Sequence, residues 1–390
     1  MEVPLRPQSV IAFAVALAAL APAALHAEEP AAYVVRLGGD TLSLEQFTRT
    51  PTRVQGEYLV RTPRSLYRTY VMDLNADGTV RRFQLTTRTL GTEPLPPVTR
   101  TTIDFTGDSA IMVIPQGDSS ATRRIPARRG AVPSLNGVMG IMDQIARQYR
   151  AAGRDSYAVD LVPPGAPRVL EGTVTRAGRD RLNLDVVTSV GRIPPFALTL
   201  DPQGGLKAFS GRGSVFQAEG ERIKDVNLPA ATRLFEYRPL GALSTRDTAR
   251  AMLGDGALWV DYGRPLKRDR VIFGDVVPWG TVWRTGANAA TQLSTAVDLV
   301  IGDATVPAGT YSLWTLPSAS GWKLIVNRQA GQWGTQYDPA RDLARVDMKV
   351  ETLPVPVEMM TIEIAPAGAG ATLVISWDLT RVSVPLRRKA

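Results

Sequence analysis

Short alternating runs of apolar and polar residues dominate the first part of the chain and predict β-strands. Runs rich in Tyr, Val, Leu and Thr lie between residues 33 and 115 and again between residues 157 and 218. The segments NADG (75–78) and DPQG (201–204) are turn signals, because Asp and Gly accept the positive φ of tight turns. Each turn precedes a similar half-basic strand. The pattern therefore predicts an antiparallel meander with a weak internal repeat.

One segment between these two groups of strands has helical periodicity. Apolar residues from Leu135 to Tyr149 recur at spacings of three and four, which places them on one face of a helix. Ser134 is expected to cap this helix and Gly153 to end it, which predicts a helix over 134–152. We expect the N-terminal sheet to curve around this helix. Such a curved sheet can instead hold an apolar ligand in its concavity.

A change of composition predicts a domain boundary. All seven Trp residues lie at or after Trp259, and a length of 390 residues favours two domains. We expect a β-rich domain over 28–239, a linker over 240–253 with one helical turn, and a second domain over 254–390. The second domain has short alternating runs, Pro and Gly turns, and no long helical pattern. These features are typical of an antiparallel β-sandwich.

Residues 1–27 have the pattern of an export signal. Arg6 precedes the apolar run 10–20, Pro22 breaks that run, and small residues follow before Glu28. The run is shorter than the roughly 20 residues that span a bilayer, and its layout fits a cleaved signal peptide. We therefore expect a periplasmic or secreted, soluble protein with no transmembrane segment in the mature chain.

The residue types that are missing exclude several kinds of chemistry. The chain has no Cys, and its one His, His26, lies inside the predicted signal peptide. A mature chain without His and Cys excludes Ser-His-Asp and Cys-His catalysis, and zinc, haem or iron–sulfur sites built on these residues. Carboxylate, Ser-Lys, Tyr and Arg chemistry remains, as does oxygen-ligated Ca or Mg. We predict no metal and no cofactor, and we favour binding over catalysis.

The positive charge of the chain does not predict nucleic-acid binding. Basic residues outnumber acidic ones by 45 to 37, and nearly all are Arg. The densest clusters, at 123–129 and 387–389, lack the interleaved aromatic residues that stack on bases. We therefore expect no nucleic-acid partner, and the sequence leaves the oligomeric state open.

The connection 263–291 is the strongest candidate for a functional site. It is long for a compact domain, and its apolar residues predict an ordered loop that carries function. Arg beside Trp on a β-scaffold favours binding, because Arg offers planar forked donors for a carboxylate or phosphate. An alternative is that its arginines pair with Asp261, Asp338 or Asp342 and only hold the loop in place. The candidate ligand-binding residues in and near the loop are Arg264, Trp283, Arg284, Thr285, Asn288, Trp333, Tyr337 and Asp338.

The C-terminal part of the chain resembles a known family. The motifs YGRP, RVIFG, VPWGTVWRTGANAAT, VPAGTYSLWTLP, GWKLIVN, GQWGTQYDP and DLARV occur in order between residues 257 and 386. They are similar to those of the bacterial domain-of-unknown-function family numbered 2911. The resemblance implies a secreted or periplasmic bacterial protein with a β-rich domain, and it implies no established activity or catalytic residue.

Three functions remain open from the sequence. The first is a non-catalytic exported protein whose Trp/Arg loop binds a small molecule, a glycan or another partner. The second is a carboxylate-based glycan hydrolase, for which Asp338 with Asp342 or Asp261 with Asp275 supply the residue types. The third is a carrier of lipid or another apolar ligand in the N-terminal curved sheet.

Overall fold

The protein is mostly β. The computed structural model describes residues 29–389 except 92, 118, 189, 190, 213 and 215. The predicted signal peptide, residues 1–27, lies outside the described residues.

Within the described part of the N-terminal domain the elements are β1 (Glu29–Leu37), β2 (Asp40–Thr50), β3 (Arg53–Val60), β4 (Leu66–Leu74), β5 (Val80–Thr89), β6 (Thr99–Phe105), β7 (Ser109–Gln116), β8 (Ser119–Pro126), β9 (Val132–Pro133), α1 (Met139–Ala152), β10 (Ser156–Val162), β11 (Leu170–Arg176), β12 (Arg181–Thr188), β13 (Gly191–Leu200), β14 (Leu206–Ser210), β15 (Glu219–Ile223) and α2 (Leu228–Phe235).

The N-terminal strands form one curved antiparallel meander around α1, as predicted. The order is β8-β7-β6-β5-β4-β3-β2-β1-β15-β14-β13-β12-β11-β10-β9, so β1 pairs with β15 and joins the two halves. Only the short β9–β10 pair is parallel among the described strands. Apolar side chains of the concave face and of α1 share one core, and Met139, Ile141 and Ile145 are fully buried in it.

The helix α1 begins later than the sequence predicted. It starts at Met139 rather than at Ser134, and no side chain of its own segment caps it. Instead the carboxylate of Glu45 on β2 accepts hydrogen bonds from the N–H groups of Met139 and Gly140, the second at 3.1 Å. A carboxylate at this end is stabilised by the helix dipole, so a distant strand supplies the cap. Gly153 ends the helix, as expected.

The segment expected to be a linker is largely a strand. Residues Ser244–Leu253 form β16 and pair with β17 along their whole length. The expected helical turn is absent from this described segment. Exposed and half-buried residues do not alternate regularly along β16, so the segment lacks the alternation that would have identified it as a strand.

The C-terminal domain is an antiparallel β-sandwich with a long ordered loop between β17 and β18. Its described strands follow the order β16-β17-β18-β21-β22-β23-β24-β19-β20. The elements are β16 (Ser244–Leu253), β17 (Gly256–Pro265), β18 (Thr291–Thr295), β19 (Leu299–Ile301), β20 (Ala304–Val306), β21 (Gly309–Ser318), β22 (Gly321–Asn327), a 3-10 turn (Pro339–Arg341), β23 (Asp342–Ala367) and β24 (Gly370–Arg388).

The last two strands of the domain are long and continuous. The strand β23 runs through Pro354 and Pro356, and its pairing with β24 becomes irregular between Thr352 and Val357. Proline is tolerated at such a bulge because the ladder hydrogen bonds are interrupted there. On the partner strand, Asp378 has a φ of +53° and bends β24 at the same place.

The two domains meet where the long loop contacts the β1–β2 turn. The N–H of Gly39 donates to the carbonyl of Arg268 at 3.1 Å, and the buried guanidinium of Arg268 pairs with Asp40. A Cβ atom at Gly38, where φ is +58°, would lie 1.8 Å from the same carbonyl. Glycine at this turn therefore permits the contact between the domains. No helix of the described residues is long and apolar enough to cross a bilayer.

Candidate ligand-binding cavity between the domains

A cavity of about 1020 Å³ lies between the two domains. One wall is the end of the N-terminal core, with Val35, Leu37 and Val60, and the other is the long loop of the C-terminal domain. Small-molecule pockets usually enclose about 300–1,000 Å³, so this cavity is large enough for a ligand with a sizeable apolar body.

The cavity wall combines apolar side chains with positive charge. Three arginines line it, Arg68, Arg270 and Arg284, whereas none of its described lining residues is Asp or Glu. The electrostatic field inside therefore favours an anion. The apolar lining includes Val35, Leu37, Leu42, Val60, Leu135, Leu170, Phe216, Leu243, Val276, Val277, Val282, Trp283, Ala287 and Trp377.

Arg284 carries an uncompensated charge at this cavity. Its side chain is partly buried, and its Nε is fully buried without a hydrogen-bond partner. It forms no ion pair with any carboxylate of the described residues. Burial lowers the pKa of Arg284 to about 10, which still leaves the guanidinium charged at neutral pH. A buried cation without a partner is costly, and an anion bound at this cavity wall would offset that cost.

The turn 283–288 fixes Arg284 in place. Trp283 exchanges backbone hydrogen bonds of 2.8 and 2.9 Å with Thr315 on β21. Thr285 is fully buried at a φ of +54°, and its hydroxyl lies 3.2 Å from that of Thr315. Asn288, at a φ of +64°, is exposed and lines the cavity. Thr285 therefore holds the turn, whereas Arg284 and Asn288 face the cavity.

Aromatic packing supports the same part of the wall. The ring of Trp283 stacks on that of Trp377, with centroids 5.8 Å apart and planes 16° apart. Both rings line the cavity, and both pack edge-on against Phe273. Trp283 is thus both a lining residue and part of the core behind it. Trp314 is buried, whereas Trp279 is 45% exposed, so these tryptophans do not form one open stacking surface for a sugar.

The other two arginines differ in how far their hydrogen bonds are satisfied. Arg270 donates to the backbone carbonyls of Lys267 and Leu266 and to the side chain of Gln217, which ties the loop to the N-terminal domain. Arg68 donates to the hydroxyl of Tyr58 at 3.0 Å, but its Nε is buried without a partner. Arg270 is therefore part of the domain contact, and Arg68 resembles Arg284.

Arg68 is a lining residue that was not predicted from the sequence, although the strand pattern contained a signal. Leu66, Arg68, Tyr70 and Met72 alternate along β4 and so share one face. Tyr70 and Met72 are buried in the core. Arg68 is therefore a charged residue in the inward-facing register of a strand.

Other predicted site residues lie away from the cavity. Arg264 donates to the carbonyl of Met360 at 3.1 Å and to the hydroxyl of Thr361 at 3.2 Å, and it pairs with Asp247 at 2.9 Å. These contacts connect β16, β17 and β23. Arg264 is thus paired internally, but with Asp247 rather than with Asp261, Asp338 or Asp342, whereas Arg284 pairs with no carboxylate of the described residues.

The side chains of Trp333, Tyr337 and Asp338 lie outside the cavity, although Thr335 between them lines it. The hydroxyl of Tyr337 donates to Asp342 at 2.7 Å and accepts from Arg345 at 3.0 Å. Asp338 caps the 3-10 turn and pairs with Arg341 at 3.3 Å. Trp333 bridges to Ala289 through the backbone, and its buried Nε1 has no partner. None of these side chains lines the cavity, so Tyr337 and Asp338 have structural contacts here.

The carboxylates considered for hydrolysis are engaged elsewhere. Asp342 accepts from Asn327 at 2.9 Å and pairs with Arg345, and Asp275 pairs with Arg212 at 3.6 Å. Asp261 pairs with an arginine of β16. None of them lines the cavity. In the described part of the chain no group of three or more His, Cys, Asp or Glu side chains is arranged to hold a metal ion.

One family model matches the C-terminal domain. Residues 244–386 match the model of DUF2911, a family described as a protein of unknown function. No curated protein matches the chain. A β-barrel-like DUF1849 protein from Brucella abortus is similar at 14% identity and a TM-score of 0.36, covering 51% of this chain and 98% of its own. A DUF1089 family protein from Pseudomonas aeruginosa is similar at 14% identity and a TM-score of 0.33, covering 45% and 92%.

Proposed function

Because residues 244–386 match DUF2911, a family of unknown function, we propose a function on the basis of the cavity. The protein binds a small amphipathic anion between its two domains without catalysing a reaction. The observation that carries this proposal is the guanidinium of Arg284, which lines a cavity of about 1020 Å³ with apolar and polar walls and has no described carboxylate partner.

The chemistry of the wall defines the ligand class. A carboxylate or phosphate matches the planar donors of Arg284, and a charge-assisted hydrogen bond would satisfy its unpartnered Nε. The remaining wall is largely apolar, which favours an acyl chain or ring system behind the acidic group. This class corresponds to the small-molecule binder among the functions that the sequence left open. The carrier was expected to hold its ligand inside the curved N-terminal sheet, but α1 packs into the core there, so the proposed ligand lies between the domains instead.

The proposal includes no catalytic step. General acid–base catalysis needs a titratable side chain within hydrogen-bond reach of the substrate. The charged side chains among the described lining residues are three arginines. An arginine remains protonated at neutral pH and is suited to holding an anion rather than to moving a proton.

Binding of matched ligands tests this function. We expect octanoate, dodecanoate or hexadecanoate to bind the purified protein at least about 10-fold more tightly than the alcohol of equal chain length, because charged hydrogen bonds contribute about 1.5–3 kcal/mol. Titration calorimetry measures both affinities. In Arg284→Met the acid should lose about 10- to 100-fold in affinity, whereas the alcohol should change little.

An exposed arginine provides the matched control. Arg250 lies on β16 outside the cavity, so Arg250→Met should bind acids as the wild type does. Wild-type protein that binds none of the acids, or that binds acids and alcohols equally, would refute the proposed function. Equal losses for acid and alcohol in Arg284→Met would indicate a damaged cavity rather than lost anion recognition.

Export is part of the proposal. The pattern of residues 1–27 supports a cleaved signal peptide and a periplasmic or secreted location. Intact mass measurement of the native protein from cell fractions should show a chain that begins after Ala27, outside the cytoplasm. An uncleaved chain in the cytoplasmic fraction would contradict this part of the proposal.

A further inference from the structure

A second cation lines the same cavity from the opposite domain. Arg68 belongs to β4 of the N-terminal domain, whereas Arg284 belongs to the loop of the C-terminal domain. The side chain of Arg68 is partly buried on the concave face, next to Leu66 and Tyr70. Each domain therefore contributes one cationic side chain to the space between them.

The neighbours of Arg68 do not neutralise it. Its Nη1 donates to the hydroxyl of Tyr58 at 3.0 Å, and its guanidinium carbon lies 5.8 Å from the centre of that ring. Burial raises the pKa of Tyr58 to about 12, so this phenol is uncharged at neutral pH. Within the described residues Arg68 forms no ion pair, and its Nε is buried without a hydrogen-bond partner. A core strand position thus holds a cation whose nearest partner is neutral.

We propose that Arg68 is a second anion-binding residue and that the cavity selects ligands with two negative charges. One charge contacts Arg68 of the N-terminal domain and the other contacts Arg284 of the C-terminal domain. The inference rests on the proposed function, because it assigns a more specific ligand to the same cavity. The apolar wall between the arginines accommodates the body that joins the two acidic groups.

The charge balance of the cavity explains the selection. A monoanion neutralises one guanidinium and leaves the other partly buried without a charged partner, which is costly away from bulk water. A dianion of suitable length neutralises both. A ligand of this kind also connects the two domains, so its binding stabilises their contact.

The inference is tested with pairs of acids of equal chain length, one with a carboxylate at one end and the other with a carboxylate at both ends. Octanoate, dodecanoate and hexadecanoate are compared with octanedioate, dodecanedioate and hexadecanedioate by titration calorimetry. Three lengths are used because the two acidic groups must match the separation of the two arginines. We expect the best diacid to bind wild type at least about 10-fold more tightly than the monoacid of equal length.

The variant Arg68→Met should reverse this preference. Without Arg68 the second carboxylate enters an apolar wall unpaired, so the diacid should bind more weakly than the monoacid. Retained binding of the monoacid shows that the variant still folds and keeps its cavity. Arg68→Lys keeps a positive charge and should keep part of the preference for the diacid.

A surface arginine of the neighbouring strand supplies the control. Arg81 on β5 is exposed, lies 4.0 Å from Asp73 and does not line the cavity, so Arg81→Met should keep the preference. Equal binding of monoacids and diacids by wild type overturns the inference about Arg68 but leaves the proposed function intact. Equal losses for both acids in Arg68→Met also overturn it, because Arg68 would then only pack on Tyr58. Failure of wild type to bind any acid refutes both proposals.

Discussion

The side chain of Arg284 passes directly over the backbone of Gly334. A Cβ atom at Gly334 would lie 1.9 Å from Cδ of Arg284 and 2.6 Å from the carbonyl oxygen of Asn288. The N–H of Gly334 also donates to that carbonyl at 3.0 Å. Residue 334 therefore determines where the guanidinium can lie, although residue 334 itself is absent from the cavity wall.

The variant Gly334→Ala should displace Arg284 and weaken anion binding. The added methyl group collides with both a side chain and a backbone oxygen, so the loop must shift. We expect a loss of about 10-fold or more in affinity for the acid and a destabilisation of about 1–3 kcal/mol, as for other overpacked sites. Titration calorimetry and urea unfolding measure the two effects.

A Gly-to-Ala change at an exposed position is the control, because it adds the same methyl group without a steric clash. A Cβ atom at Gly178 would lie 3.7 Å from its nearest neighbour, the Cβ of Arg181, which is an ordinary contact. Gly178→Ala should therefore bind acids normally. Unchanged acid binding in Gly334→Ala would show that the position of Arg284 does not matter for the ligand.

The variant Arg284→Met should stabilise the ligand-free protein. Methionine keeps an unbranched side chain in the wall but removes the cost of burying an unpaired charge. We expect an increase of about 1–3 kcal/mol in the free energy of unfolding, together with the loss of acid binding. A purely structural role for Arg284 predicts the opposite sign. Urea unfolding at neutral pH, with Arg250→Met as the control, decides between them.

The carboxyl of Glu45 should make stability depend on pH. Burial raises its pKa from 4.5 to about 7, while hydrogen bonds from Tyr70, Met139 and Gly140 oppose this shift. Because the folded pKa is the higher one, the contribution of Glu45 is full below pH 4.5 and is lost as the pH rises through 7. The loss amounts to about 3 kcal/mol.

The variant Glu45→Gln should remove this dependence. Urea unfolding of wild type and Glu45→Gln at pH values below and above this range gives the difference in stability at each pH. We expect the free energy of unfolding of the variant to increase relative to that of wild type as the pH rises, because the Gln side chain does not ionise. A constant difference across the range would show that Glu45 titrates normally.

The ion pair of Arg268 with Asp40 should couple the unfolding of the two domains. Arg268→Met removes the buried cation at the domain contact and leaves Asp40 unpaired. We expect calorimetry to show a wider separation between the melting transitions of the two domains, with a cost of about 1–3 kcal/mol. Arg246→Met breaks a pair with Asp261 inside the C-terminal domain and should lower one transition only. Identical melting profiles for the two variants would argue against coupling through Arg268.

The sequence predicted elements better than it predicted their ends. The periodicity from Leu135 to Tyr149 is local, so it identified α1, but the cap of α1 comes from Glu45 on a distant strand. The residues around Ser134 cannot predict that contact, because Glu45 is distant in the sequence. In the same way, β23 continues through Pro354 and Pro356 because its partner β24 bends beside them, and local propensity alone predicts a break.

The residues of the candidate site could be predicted only in part from the sequence. Arg264 and Arg284 have the same residue type in one loop, yet Arg264 reaches Asp247 and Arg284 reaches no described carboxylate. Their difference depends on which strands lie nearby, and this is a tertiary property. Arg68 was not predicted for a different reason. The alternation along β4 places Arg68 on the inward face of the strand, but alternation alone does not show which part of a curved sheet borders a cavity.

The pairing of β1 with β15 has a consequence for how the chain acquires its structure. Arg36 on β1 forms an ion pair with Glu221 on β15, a residue 185 positions later, and the pairing of these two strands joins the two halves of the N-terminal sheet. Contacts of such separation form slowly, because a long loop must close first. The N-terminal domain therefore cannot be completed until β15 is available, so a nascent chain that ends before residue 223 should expose the unpaired edge of β1.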